Sequence, residues 1–189
     1  MLRRQGPLTA LVMAVSGYTP LHAAGIQTPR GLLAIAGPAA AGKSTVAALA
    51  YAGGWPVAGD DVLAMDRDLT ILPLPGALRT DAPWVGPTDS VTADGRKLVP
   101  LSPLFGKQRL MGLVTVVRGS HPLLATVTGA ERLAIFADAL LGGFLSDQEE
   151  QILECAANVP VYRLTVPGDL AALHSSWPIV RNLLAEACG

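Results

Sequence analysis

The alternation of apolar and polar positions along the chain predicts short strands and helices in an ordered series. The run GLLAIAG at residues 31–37 is continuously apolar, which is typical of a short strand buried on both faces. The alanine-rich stretch KSTVAALAYAG at residues 43–53 predicts a helix of about three turns that ends at a Gly-Gly pair. The segment PVAGD at residues 56–60 then predicts a second strand, with two adjacent aspartates at its carboxyl end.

The flanking segments are predicted from the same patterns. Residues 1–19 contain an apolar run that predicts a first helix, ended by Gly17 and Pro20. Residues 62–104 alternate strand-like pieces with proline- and glycine-rich stretches, which predicts β-hairpins and loops, the longest loop being at 75–95. The remaining predictions are a buried strand at 112–119, helices at 129–144 and at 146–159 with Ser146 as N-cap, a strand at 160–166, and a closing helix at 168–187 interrupted at Pro178.

Length and composition favour one globular domain over residues 1–189, and the succession of predicted strands and helices favours an α/β fold. Only 15% of the residues are charged, the net charge is −1, and no Lys/Arg cluster occurs, so we expect no nucleic-acid partner. The apolar run LTALVMAV is shorter than the roughly 20 residues that span a bilayer, so we expect no membrane insertion. Cys155 and Cys188 lack any metal-ligand spacing, which favours two ordinary thiols.

The segment GPAAAGKST, residues 37–45, matches the phosphate-binding pattern G-x-x-x-x-G-K-[ST]. Glycines allow the backbone to curl with its N–H groups inward, the lysine can reach the β- and γ-phosphates, and the serine hydroxyl can ligate Mg²⁺ at a helix N-terminus. The alternative is a structural glycine turn that binds no ligand. The residues predicted to bind ATP are Gly37, Pro38, Ala39, Ala40, Ala41, Gly42, Lys43, Ser44 and Thr45.

Asp60 and Asp61 follow the second predicted strand, one helix beyond this motif. Acidic pairs at strand ends usually face solvent, and that remains the alternative. Because ligands of parallel α/β sheets bind outside the carboxyl ends of the strands, we expect both aspartates near the glycine-containing loop. One carboxylate could hold Mg²⁺ and the other could accept the proton of an attacking hydroxyl.

The other candidates carry weaker signals. His22 precedes the first predicted strand, and a lone histidine is more often structural than functional. Arg79, Lys97 and Arg109 could contact phosphates or an acidic acceptor, although solvated loop cations are an equal alternative. Trp84 lies in the long loop and could touch a nucleotide base or a partner, but packing is the simpler role.

The order LHAAGI, strand, GPAAAGKST, alanine-rich helix, strand, GDD resembles the catalytic domain of HPr kinase/phosphorylase and of HprK-related serine kinases. The resemblance is specific over residues 20–66. It implies a P-loop kinase domain, an α/β fold with a mixed sheet and flanking helices, whose core is similar to phosphoenolpyruvate carboxykinase. It also implies catalytic roles for Asp60 as base, Lys43 as phosphate ligand and His22 as a polarising residue, with Ser44 and Asp61 at the metal. Assembly into a homo-oligomer is implied by the resemblance alone.

These observations together predict a serine kinase that requires ATP and Mg²⁺ and phosphorylates a hydroxyl of a small protein or peptide. The chain lacks the Arg-Asn-Pro signature that accompanies dephosphorylation in that family, so the prediction covers the kinase direction only. Two alternatives stay open: a nucleotide-binding adaptor or sensor without transferase activity, and a kinase for a small metabolite. Residues 1–24 imitate a secretion signal, but Gly17, Tyr18, Thr19 and Pro20 interrupt the apolar run. An ATP site also suits the cytoplasm, where we expect the protein.

Overall fold

The computed structural model describes residues 5–74, 76–85, 91–92, 95–102, 106–140 and 148–188. Over these residues the chain is a mixed α/β protein. Its elements, in chain order, are α1 (Gln5–Val15), β1 (Thr19–Leu21), β2 (Ala24–Thr28), β3 (Gly31–Ala36), α2 (Lys43–Ala52), β4 (Val57–Gly59), β5 (Leu63–Met65), β6 (Thr70–Ile71), β7 (Gly76–Thr80), β8 (Lys97–Leu101), β9 (Gln108–Gly119), β10 (Leu123–Val127), α3 (Gly129–Ala139), α4 (Gln148–Asn158), β11 (Val161–Pro167), α5 (Leu170–Ser175) and α6 (Trp177–Glu186).

Nine of the described strands form one mostly antiparallel mixed sheet, and β7 and β8 pair as a separate hairpin. The long strand β9 lies at the centre of the nine-stranded sheet, since it pairs in parallel with β3 on one side and with β11 on the other. Strand β2 lies between β3 and β4 and is antiparallel to both. Consequently β3, β4, β9 and β11 all run in the same direction, and their carboxyl ends meet at one edge of the sheet.

Both faces of the sheet are covered. Leu33 and Ile35 of β3 pack into a core with α2, α5, α6 and the β7/β8 hairpin, whereas Leu32 and Ala34 pack into a second core with α3 and α4. These four side chains are fully buried, so the prediction that β3 is buried on both faces is confirmed. Burying a Leu or Ile side chain contributes about 1.5–3 kcal/mol, which anchors β3 and the loop that follows it.

The register of β2 sets the position of the two aspartates. Gly25 of β2 pairs with Ala34 of β3 on one side and with Gly59 of β4 on the other. A Cβ atom on Gly25 would lie 2.9 Å from Cβ of Ala58, so only glycine lets β4 approach this closely. The chain therefore leaves β4 at Asp60 at about the level at which β3 ends. The ends of β3 and β4 are separated by two strand spacings, or about 10 Å.

Several predicted elements differ from the observed ones. The first helix ends at Val15, and Pro20 lies within β1 rather than ending a helix. Strands β1 and β2 were not predicted, and β7 occupies part of the predicted loop at 75–95. Proline can occupy β1 and glycine β2 because a strand's pairing partners decide its state as much as local propensity does.

The C-terminal part agrees more closely. Strand β9 begins four residues before the predicted 112–119, and β11 matches the predicted 160–166 within one residue. The closing helix is two helices, because the break falls at Ser176 and Pro178 lies in the first turn of α6, where its missing N–H is tolerated. Helix α3 ends at Ala139, and the predicted N-cap Ser146 lies outside the described residues.

No helix within the described ranges is long and apolar enough to cross a membrane.

Candidate functional site

The glycine loop, residues 37–42, connects the carboxyl end of β3 to the start of α2. Gly37 and Gly42 have φ of 128° and 110°, conformations that side chains rarely adopt, and Ala40 has a φ of 62°. Lys43 begins α2 and turns back into the loop, where its Nζ donates to the carbonyl oxygens of Gly37 at 2.7 Å and Pro38 at 3.1 Å. The lysine is therefore placed inside the curl of the loop, held by backbone acceptors.

The carboxyl-terminal part of β9 lies against the first residue of the glycine loop. Strand β3 leaves β9 after the pair Ala36 and Thr115, and β9 continues to Gly119. A Cβ atom on Gly37 would lie 3.4 Å from Oγ1 of Thr115 and from the backbone N and O of Val116. The backbone angle therefore requires glycine at the first position of the loop, and β9 lies within van der Waals distance of it.

Asp60 is buried directly after β4, with 8% of its surface exposed. Its Oδ2 accepts a hydrogen bond of 2.8 Å from the backbone N–H of Arg79 on β7. The Ser44 hydroxyl approaches the same carboxylate and favours its ionised form, but Oδ1 has no partner of normal hydrogen-bond geometry among the described residues. Burial outweighs these effects and raises the pKa of Asp60 to about 6, so the carboxylate is an unusually basic one.

Asp61 lies beside Asp60 and is half exposed, with His22 across from it. Nε2 of His22 is 3.7 Å from Oδ1 of Asp61. The backbone N–H of His22 donates to the carbonyl of Ala139 at 2.7 Å, which ties the histidine to the end of α3. Burial first and the charge of Lys43 second lower the pKa of His22, while Asp61 opposes them, so the imidazole beside Asp61 is neutral at pH 7.

Lys43 links the loop electrostatically to the two aspartates. Burial lowers the pKa of Lys43, and the carboxylates of Asp60 and Asp61 partly offset this effect. His22 in turn responds to Lys43 and to Asp61. The four predicted side chains therefore lie within electrostatic range of one another at one edge of the sheet, although their catalytic roles stay predictions.

The oxygen atoms around Asp60 suit a hard cation such as Mg²⁺. Asp60 has a buried oxygen without a partner, the Ser44 hydroxyl is close to it, and the more exposed Asp61 is adjacent. Within the described residues no group of three or more His, Cys, Asp or Glu side chains is arranged to hold a metal. Mg²⁺ in phosphate-transfer sites commonly takes one or two carboxylates together with substrate phosphates and water, so the donors present fit this ion.

The structure does not bring every candidate to this edge. Arg109 is at the amino end of β9, opposite Thr70, and the glycine loop lies against residues at the other end of that strand. Lys97 donates to the carbonyl of Val85 at 2.8 Å and so holds the segment after β7. Trp84 stacks on His174 of α5 with ring centroids 4.9 Å apart, a packing contact rather than an open face.

Arg79 and Arg118 lie near the site for different reasons. Arg79 contributes its backbone N–H to Asp60, and its charge also lowers the pKa of that carboxyl. Arg118 was not among the sequence candidates, yet its NH2 group donates to the carbonyl of Ala40 at 3.0 Å across 78 positions of sequence. The only sequence signal was its place at the carboxyl end of a predicted buried strand, where α/β sheets collect functional groups.

Comparison with solved structures found a number of similar chains. No family model matches the chain, and no curated protein matches it. A solved structure of the Hpr(Ser) kinase/phosphatase from Coxiella burnetii aligns with 90% of this chain and 99% of its own, at 14% sequence identity and a TM-score of 0.41.

Proposed function

We propose that the protein is an ATP-dependent, Mg²⁺-requiring kinase that phosphorylates a serine hydroxyl of a small protein or peptide. One observation carries the proposal: a buried, basic carboxylate, Asp60, lies within electrostatic range of Lys43 in the glycine loop. A phosphate-binding loop alone would support only nucleotide binding. A proton acceptor beside it adds what a hydroxyl needs in order to attack phosphorus.

In the proposed reaction, Asp60 accepts the hydroxyl proton of the acceptor serine as the serine oxygen attacks the γ-phosphorus. The bond between that phosphorus and the bridging oxygen breaks, and ADP leaves with the electron pair. A pKa of about 6 leaves Asp60 ionised at pH 7 and makes it a stronger base than an ordinary carboxylate. Its hydrogen bond from the Arg79 N–H keeps one oxygen occupied, so Oδ1, which is buried and has no partner among the described residues, is the oxygen proposed to take the proton.

Lys43 is proposed to bind the phosphates and to neutralise charge that develops on them. Its ammonium group now donates to the carbonyls of Gly37 and Pro38, and one of these bonds would be exchanged for a phosphate oxygen. The backbone N–H groups of residues 37–45 would bind the remaining phosphate oxygens at the start of α2. Burial lowers the pKa of Lys43, and an anion in the loop would oppose this effect by favouring the charged form of the lysine.

Ser44 and Asp61 are the residues proposed to hold Mg²⁺, which when bound would supply positive charge at the phosphates. Asp61 is exposed enough to exchange a contact with water for one with a cation. The neutral His22 beside it would orient the carboxylate or a reacting group by hydrogen bonding. In this proposal the buried carboxylate of Asp60 is the base, and the half-exposed carboxylate of Asp61 is the metal ligand.

The acceptor class is tested with Mg·[γ-³²P]ATP and a library of peptides that each contain a single serine. We expect acid-stable phosphoserine on some peptides, no label on matched peptides with alanine in place of serine, and no label with Lys43→Ala. ATP binding without label on any peptide would favour the nucleotide-binding adaptor instead. Label on a small metabolite hydroxyl but on no peptide would contradict the proposed acceptor while keeping the kinase chemistry.

A further inference from the structure

The apex of the glycine loop is held by a side chain from a distant part of the sequence. Ala40 has a φ of 62°, a left-handed conformation that residues other than glycine rarely adopt. Its carbonyl accepts the 3.0 Å hydrogen bond from NH2 of Arg118. NH1 of the same guanidinium makes a longer contact, 3.5 Å, to the carbonyl of Gly168 between β11 and α5. Arg118 thus connects the loop apex to the neighbouring strand end.

This contact fixes the orientation of one peptide plane. In a trans peptide the C=O of one residue and the N–H of the next point in opposite directions. The Ala40 carbonyl points to Arg118, and the N–H of Ala41 donates to the carbonyl of Pro38 at 3.2 Å. Pro38 also accepts from Lys43, so the guanidinium, the loop apex and the lysine belong to one chain of hydrogen bonds.

Arg118 reaches the loop through a hydrogen bond from its guanidinium to the Ala40 carbonyl. The charges that shift the pKa of Lys43 are those of Asp60 and Asp61. The guanidinium itself is exposed at the end of β9. A planar guanidinium with several fixed donors can join two carbonyls, whereas an ammonium on a flexible stem cannot do so with the same geometry.

We propose that Arg118 is a positioning residue of the glycine loop: its guanidinium holds the Ala40 carbonyl and so keeps the loop in the conformation that receives the phosphates of a nucleoside triphosphate. The part of this inference that concerns nucleotide rests on the proposed function. The part that concerns the loop does not, because it is measurable in the protein without nucleotide.

The test compares full-length Arg118→Ala and Arg118→Lys with Arg109→Ala, a control at the opposite end of the same strand. Hydrogen exchange of the loop amides in the nucleotide-free protein is measured first, and calorimetric Mg·ATP affinity second. We expect Arg118→Ala to speed exchange at residues 39–42 and to weaken affinity about tenfold, a typical loss for a hydrogen bond from a charged group. Arg118→Lys should recover only part of both effects, and Arg109→Ala should change neither.

Each outcome decides a separate point. Unchanged loop exchange in Arg118→Ala would overturn the proposal, whatever happens to affinity. Faster exchange with unchanged affinity would overturn the nucleotide part, and full rescue by Arg118→Lys with a salt-sensitive loss would identify a simple charge effect instead. Faster exchange in a protein whose wild type binds no ATP would uphold the loop role of Arg118 and contradict the proposed function. If Arg118→Ala lowers the melting temperature, the loop exchange of Arg118→Lys relative to wild type decides between these outcomes.

Discussion

The backbone N–H of Arg79 donates a 2.8 Å hydrogen bond to Oδ2 of Asp60, so a carboxylate that follows β4 is held by β7. The two residues are 19 positions apart, and β7 belongs to the hairpin outside the main sheet. This bond fixes one carboxylate oxygen and leaves Oδ1 without a partner among the described residues. The β7/β8 hairpin therefore contributes directly to the geometry of the proposed base.

Asp60 should make the stability of the nucleotide-free protein depend on pH. Its pKa is raised from 3.8 to about 6, first by burial, so the folded state binds the proton more tightly than the unfolded state does. The stabilisation that this preference provides is complete below about pH 4 and is lost as pH rises through about 6. Asp60→Asn should accordingly be more stable than wild type by up to about 3 kcal/mol at pH 7.5, and by much less at pH 4.

Urea unfolding at both pH values measures this difference. Asp68→Asn, at an exposed carboxylate in the turn before β6, is the matched control for the loss of a carboxylate at the surface. A difference between Asp60→Asn and wild type that does not change with pH would show that burial does not raise this pKa.

The pKa of His22 should respond in opposite directions to two substitutions. The charge of Lys43 lowers the pKa of His22 and that of Asp61 raises it. Lys43→Met should therefore raise the pKa, and Asp61→Asn should lower it further. Proton NMR titration of the imidazole measures both pKa changes. Lys107→Met is the control expected to have no effect, since the charge that it removes lies beside Asp66. Shifts of the same sign in both variants would contradict the described arrangement.

Lys43 should matter for nucleotide affinity more than any exposed lysine does. Removing a charged hydrogen-bond donor from the loop should weaken ATP binding roughly tenfold to a hundredfold in Lys43→Ala, since such bonds contribute about 1.5–3 kcal/mol. Calorimetry with Mg·ATP measures this, and Lys107→Ala should bind like wild type. Equal affinity in the two variants would place the phosphates elsewhere.

Gly37 should be intolerant of a methyl group because of its backbone conformation and its place in the glycine loop. Its φ of 128° strains any side chain, and a Cβ would lie 3.4 Å from Thr115 Oγ1. Gly54, with a φ of 81° and no neighbouring atom within 4 Å of its built Cβ, carries the backbone strain alone. Gly37→Ala and Gly54→Ala should each lose about 1 kcal/mol of stability, but only Gly37→Ala should also lose ATP affinity. Melting curves and calorimetry separate the two effects, and equal affinities would disprove a specific role for Gly37.

The order of elements around the glycine loop was predictable from local sequence because each signal is local. The apolar run of β3, the glycines, and the alanine-rich helix α2 fix their own conformations, and the proximity of Asp60 and Asp61 follows from the strand that carries them. The insertion of β2 between β3 and β4 was not predictable, since Gly25 is favourable there only because Ala58 lies against it. Arg118 was missed for the same reason: its partner Ala40 is 78 positions away, and its place at the carboxyl end of β9 is the only local signal.

The proposal that Asp60 is the base of a hydroxyl kinase is tested most directly by separating binding from transfer in Asp60→Asn. Single-turnover transfer of the γ-phosphate to a responsive serine peptide is compared with calorimetric Mg·ATP affinity, with Asp68→Asn as control. The account predicts affinity within about threefold of wild type and transfer reduced by a factor of about 10² to 10⁴, the usual contribution of a general base. Transfer at the wild-type rate by Asp60→Asn would contradict it.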